Sequence, residues 1–141
     1  MESISINYLA IVVGAVLSMV IGAIWYGPLF GKKWMEIIGV STQDPEANKK
    51  MQKACMPMYV VQFVLTLFQV LVLAHLIADT TKVAGTERAI WIWGAFVIPT
   101  LAGAVMWTND PGKNKWARFF IQGGYQLTIF IVFGLLLQYW K

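Results

Sequence analysis

Histidine and cysteine each occur once in 141 residues, as His75 and Cys55, and charged residues make up only 13% of the chain. One histidine and one cysteine cannot assemble a metal cluster or a histidine-based triad within one subunit, and Cys55 has no partner for a disulfide. Neither a Walker loop nor a dinucleotide fingerprint is present, so catalysis is not expected and no cofactor is implied. Strand-like alternation is also missing, which sets a β-barrel aside. The net charge of +4 is modest. With no basic stripe and no aromatic-stacking module, it argues for lipid headgroups as partners and against nucleic acid. No repeat or low-complexity segment appears. A soluble domain usually carries about 25% charged residues, so this composition calls for a solvent other than water.

What is present is apolar. Hydrophobic residues make up 58% of the chain and concentrate in four runs, at 8–26, 57–77, 89–107 and 119–139, none of which holds an acidic residue. Each is close to the roughly 20 residues that a helix needs to cross about 30 Å of hydrocarbon. The expected fold is an all-α integral membrane protein, a single domain over 1–141 with four transmembrane helices in a bundle. The first run is read as a retained helix and not a signal peptide. Its leader carries Glu2 and no lysine or arginine, and Trp-Tyr-Gly-Pro at 25–28 is no small-residue cleavage site.

With four spans, the first and third loops share one side of the membrane. Lys32, Lys33, Lys49, Lys50, Lys53, Lys113, Lys115 and Arg118 lie there, against Lys82, Arg88 and Lys141 on the other side. By the positive-inside rule the first and third loops are expected in the cytoplasm and both termini outside. That places Cys55 on the reducing side.

The segment "WYGPLFGKKW" then reads as the cytoplasmic exit of the first helix. Trp25, Tyr26 and Trp34 are expected at headgroup level, Gly27-Pro28 ends the helix, and Lys32 and Lys33 meet anionic lipid. Residues 32–40 group Trp34, Met35, Ile37 and Ile38 on one helical face, which predicts a short amphipathic helix lying on the inner leaflet. In "STQDPEANKK", Asp44 is an N-cap, Pro45 the first helical residue and Glu46 a first-turn acid. That helix runs on toward the second span with a kink expected at Pro57. "TNDPGKNKW" is a short turn before interfacial Trp116.

In order of features the chain resembles a family of small bacterial membrane proteins catalogued as domain of unknown function 1761. The resemblance rests on Asn7-Tyr-Leu-Ala10, the segment from Trp25 to Trp34, Ala74-His75, Pro99-Thr100 and Gly124-Tyr125. It implies four helices in a bacterial inner membrane and brings no established activity. Family members often carry a second histidine after that Gly-Tyr, where this chain has Gln126, so a two-histidine mechanism does not carry over.

Three constellations stand out within the spans. Ala10, Gly14, Ser18 and Gly22 place small residues at every fourth position of the first span, a pattern that lets two helix backbones approach closely. The partner is either a second copy or another helix of the same subunit, for which Ala95, Pro99 and Gly103 of the third span offer a matching face. Gln62, Thr66 and Gln69 share a narrow arc of the second span, as do Gln122, Tyr125 and Gln126 of the fourth. Gln62 and Gln122 each lie five residues inside their span, at matching depth for a direct hydrogen bond. This polar seam is either structural glue or a path for a small polar solute. Pro99 removes a backbone donor in mid-membrane and should free the Ala95 carbonyl. His75 lies off the seam, positioned to pair with Asp79 at the end of its helix.

Two functional classes remain. The first is a membrane interaction or scaffold protein, self-associating or part of a larger complex. The second is a small channel or transporter for a small polar solute or ion that uses the glutamine seam.

Overall fold

The computed structural model describes residues 5–39, 44–78 and 83–140, and within them every regular element is helical. Four helical segments are long and apolar enough to span a membrane: Tyr8–Leu29, Pro45–Ala78, Gly85–Met106 and Gly112–Tyr139. The chain is therefore an all-α four-span protein. Asp79, the expected partner of His75, and Val40, the expected end of the amphipathic helix, lie outside the described residues.

The first span begins as α1 (Tyr8–Ile24). Extended Asn7 caps it, its side chain accepting the Ala10 N–H at 3.1 Å. Gly27-Pro28 does not stop the helix. Pro28 cannot donate, so the coil widens into a π-helical turn (Trp25–Leu29) in which the Phe30 N–H reaches back five residues to Trp25 O at 3.0 Å. The first span thus ends a turn later than the sequence suggests. Helix α2 (Gly31–Ile38) follows, buries Ile37, and closes at Gly39, whose φ of +75° is a left-handed cap that glycine adopts without strain.

Helix α3 (Pro45–Ala78) starts at Asp44, which accepts from Glu46 N–H at 3.0 Å and Ala47 N–H at 3.4 Å. It runs unbroken through Pro57 for 34 residues, or about 51 Å at about 1.5 Å per residue. That is well over the roughly 30 Å of hydrocarbon that a span has to cross. Its packing is uneven along its length: no residue from Pro45 to Leu65 is buried, whereas Thr66, Val70, Leu73, Ala74 and Ile77 all are. Only its second half packs into the bundle.

The third span is α4 (Gly85–Ile92), a second π-helical turn (Trp93–Val97) and α5 (Ile98–Met106). The wide turn precedes Pro99 as the first one surrounds Pro28, and the Ile98 N–H again bonds five residues back, to Trp93 O. Thr100 Oγ1 donates to Phe96 O at 2.6 Å. The fourth span, α6 (Gly112–Tyr139), is the hub and packs against every other helix.

Two interfaces depart from expectation. The small-residue face of α1 packs against α3 and α6 of the same chain, not against the third span. A Cβ on Gly14 would meet Leu136, Val70 and Phe133 at 3.4–3.5 Å, and Gly103 has open space around it. Bulky side chains from two helices, more than a second small face, fill the groove. A close backbone approach joins α4 and α6, where a Cβ on Gly134 would lie 2.7 Å from Thr86 Cα. Gln138 Oε1 accepts the Thr86 N–H at 3.4 Å there, satisfying a donor in the first turn of α4.

The apolar core, with Val70, Phe133 and Ala89 at its centre, fills the half of the bundle nearest Tyr8 and Tyr139. The opposite half is not filled.

Candidate functional site

In that opposite half, a cavity of about 670 Å³ opens among all four spans and α2. Its walls come from Met19, Gly22, Ala23, Tyr26 and Gly27 on the first span, Trp34 on α2, Tyr59 and Gln62 on α3, Leu101 on α5, and Gln122, Tyr125 and Gln126 on α6. Helix α3 buries no side chain before Thr66, so its first half leaves this end of the bundle unfilled. No aspartate, glutamate, lysine, arginine or histidine lines it. Among the described residues no group of three His, Cys, Asp or Glu side chains could hold a metal ion.

Four of the six seam residues, Gln62, Gln122, Tyr125 and Gln126, meet at this cavity. Thr66 lies just beyond its wall: its hydroxyl donates to Gln62 O at 2.8 Å and accepts from Gln62 Nε2 at 3.3 Å. Gln69 is outside the cavity. The expected Gln62 to Gln122 hydrogen bond is not formed, because Gln62 turns its amide along its own helix to Thr66. Gln122 makes no side-chain hydrogen bond among the described residues, and Gln126 Oε1 is buried without a partner. Tyr125 donates to Ser18 O at 3.0 Å and lies against Gly22, which ties the fourth span to the small-residue face.

The aromatic residues of the exit segment also contact other helices. Trp25 turns onto α6, where its indole N–H donates to Ile121 O at 2.9 Å and its ring covers Gly124. Trp93, at the start of the other π-helical turn, donates to Gly123 O at 3.2 Å. Two indoles thus grip α6 on either side of Gln122. Tyr26 packs between Trp34, at 4.8 Å, and Tyr125, at 5.4 Å between ring centroids. Lys32 stays exposed, and Lys33 forms a 3.2 Å ion pair with Glu36 on the surface of α2. Arg118 and Asp110 pair at 2.9 Å across the third loop. His75, away from all of this, has Nδ1 2.8 Å from Leu71 O.

Tyr59, Tyr26 and Trp34 were missed as cavity residues. Tyr59 falls on the Gln62 and Thr66 face at spacings of three and seven residues, and Tyr26 continues the every-fourth series of Ala10 to Gly22. Both signals were present in the sequence.

Fold and site together define a class: a four-span helical membrane protein with an uncharged polar cleft at one end of the bundle. The chain belongs to the family described as Protein of unknown function (DUF1761), whose model matches residues 9–138. No curated protein matches it, and no solved structure does.

Proposed function

We propose that this protein binds a small uncharged molecule within the membrane, in the cleft between its spans, as a carrier or receptor. The observation that carries this reading is the chemistry of the cleft: three glutamines and three tyrosines gathered around about 670 Å³ with no charged group among them. An ion moved there from water would lose its hydration without gaining a counter-charge, a cost of many kcal/mol. Amides and phenols instead match a neutral ligand that both donates and accepts hydrogen bonds. The packed core around Phe133 and Val70 lies beyond the cleft along the bundle, and none of its buried residues lines it. That geometry supports a binding pocket over an open channel.

The test is a thermal unfolding panel of uncharged and charged small molecules. A true ligand at 100 times its Kd stabilises by about 2.7 kcal/mol. That shift should vanish in a Gln62→Leu, Gln122→Leu double variant that unfolds normally without ligand. Stabilisation by none of the uncharged compounds removes the reading.

An interaction role, with a second copy or a larger complex, is supported by the third span. Trp91 and Phe96 are each 70% exposed there, and Gly94 and Gly103 face open space. Native mass spectrometry from nanodiscs counts subunits directly, and a strictly monomeric species would end self-association. The orientation we propose keeps the lysine-rich first and third loops in the cytoplasm, with Lys32 and Lys33 against anionic headgroups.

A further inference from the structure

The shape of the cleft narrows its ligand further. We infer that the cavity takes a flat, uncharged ring compound bearing carbonyl or hydroxyl oxygens, soluble in lipid and admitted sideways from the bilayer. This rests on the reading of the cleft as a binding site.

Three observations carry it. Four of the lining side chains are aromatic, and the rings of Trp34 and Tyr125 stand at 59° and 63° to that of Tyr26. Rings tilted this way present faces and edges together, the arrangement in which another ring is held by offset stacking and edge contacts. Part of the first-span wall is backbone: Met19 and Tyr26 project there and the Tyr125 hydroxyl would lie 3.2 Å from a Cβ on Gly22, but a Cβ on Gly27 would meet nothing within 4 Å. A flat molecule can lie against such a backbone wall where a bulky branched one could not.

The second observation is the set of unused amide groups. Among the described residues half-buried Gln122 makes no side-chain hydrogen bond, Gln126 Oε1 is buried without a partner, and exposed Gln62 engages only its amide nitrogen, with Thr66. Buried amide oxygens are ordinarily satisfied, so Gln126 Oε1 is the exception here that points to a missing partner. Oxygens on the rim of a ring would accept from the Gln122 amide, and a hydroxyl would donate to an amide oxygen.

The third is the route of access. Tyr59 and Gln62, which line the cavity from α3, are both exposed, and Met58 and Val61 beside them are exposed as well. In a bilayer those side chains face lipid, so the cleft communicates with the hydrocarbon. A volume of about 670 Å³ lies within the roughly 300–1,000 Å³ typical of pockets for drug-sized ligands.

The experiment is equilibrium dialysis against the full-length protein in nanodiscs, with empty nanodiscs as background and three probes. Duroquinone is a neutral ring with two carbonyls and no open carbon for Cys55 to attack, tetraphenylphosphonium is rich in rings but charged, and glycerol is neutral without a ring. Duroquinone should bind saturably at one per chain, at least tenfold more weakly to Gln122→Leu and to Trp34→Leu, with both variants keeping wild-type helicity and elution volume. A conservative Trp34→Phe should retain most of the affinity. Saturable tetraphenylphosphonium binding of equal affinity overturns the neutrality of the ligand. Glutamine-dependent glycerol binding without duroquinone binding overturns the ring class while leaving the cleft a solute site. Saturable binding of no probe overturns both.

Discussion

Replacing Gly134 by alanine tests the close contact between α4 and α6. The added methyl would lie 2.7 Å from Thr86 Cα, 3.1 Å from Ala89 Cβ and 3.1 Å from Gly85 O. Two of these three neighbours belong to backbone and cannot swing aside as a side chain can. Ordinary contact begins near 3.4 Å, so α4 and α6 must separate by about 0.7 Å at that point. The same separation stretches the already long 3.4 Å bond from Thr86 N–H to Gln138. Overpacking of this kind costs about 1–3 kcal/mol. Alanine also favours the helix over glycine by up to about 1 kcal/mol, so the reference is Gly103→Ala on the third span, where the new methyl meets nothing. Propensity then cancels, and the packing cost is the difference between the two variants. Reversible unfolding in mixed detergent micelles, followed by helical circular dichroism, should place Gly134→Ala about 1–3 kcal/mol below Gly103→Ala. Equal stabilities would refute the close approach of the third and fourth spans.

Other outcomes follow from the same contacts. Gly14→Leu, pressed against Val70, Phe133 and Leu136, should cost stability toward the upper end of about 1–3 kcal/mol in a preparation held monomeric; undiminished monomer stability with a lowered oligomer order would move that face to a contact between copies. Tyr125→Phe removes the bond to Ser18 O and should cost about 0.6 kcal/mol, with about 1.7 as the ceiling, by the same unfolding assay. A double-mutant cycle on Gln62 and Gln122 should give a coupling within about 0.5 kcal/mol of zero, since no hydrogen bond joins them, and a larger value would bring them together. Cys55 should resist a membrane-impermeant maleimide in intact cells and react after permeabilisation; efficient labelling of intact cells would reverse the proposed orientation.

The number of spans was legible because each is a long apolar run, and hydropathy needs no knowledge of partners. The Asp44 cap was legible for the same reason: it is a local interaction between a side chain and the next three residues. Gln62, Gln122 and Gln126 stood out because glutamine is costly in lipid and must face something. What the sequence did not disclose are facts about rotation and distance between helices. Nothing local to Trp25 says that its indole reaches Ile121, and Gly85, Ala89 and Gly134 looked like ordinary small residues until α4 lay against α6. The π-helical turns escaped for a related reason. Pro28 was read as a stop, but a proline costs one donor, and widening a single turn lets the next N–H find an acceptor without ending the helix.

Helix α6 is the surface on which every other helix closes, yet it follows all of them along the chain. During synthesis the first three spans reach the membrane before their common partner exists. Until it arrives, the indole N–H groups of Trp25 and Trp93 have no Ile121 or Gly123 carbonyl to meet, and the groove beside Gly14 has no Phe133 to fill it. Up to that point the first and second spans have each other through α1 and α3, while the third has little to hold it. The third span therefore lacks most of its packing partners until the fourth is in place.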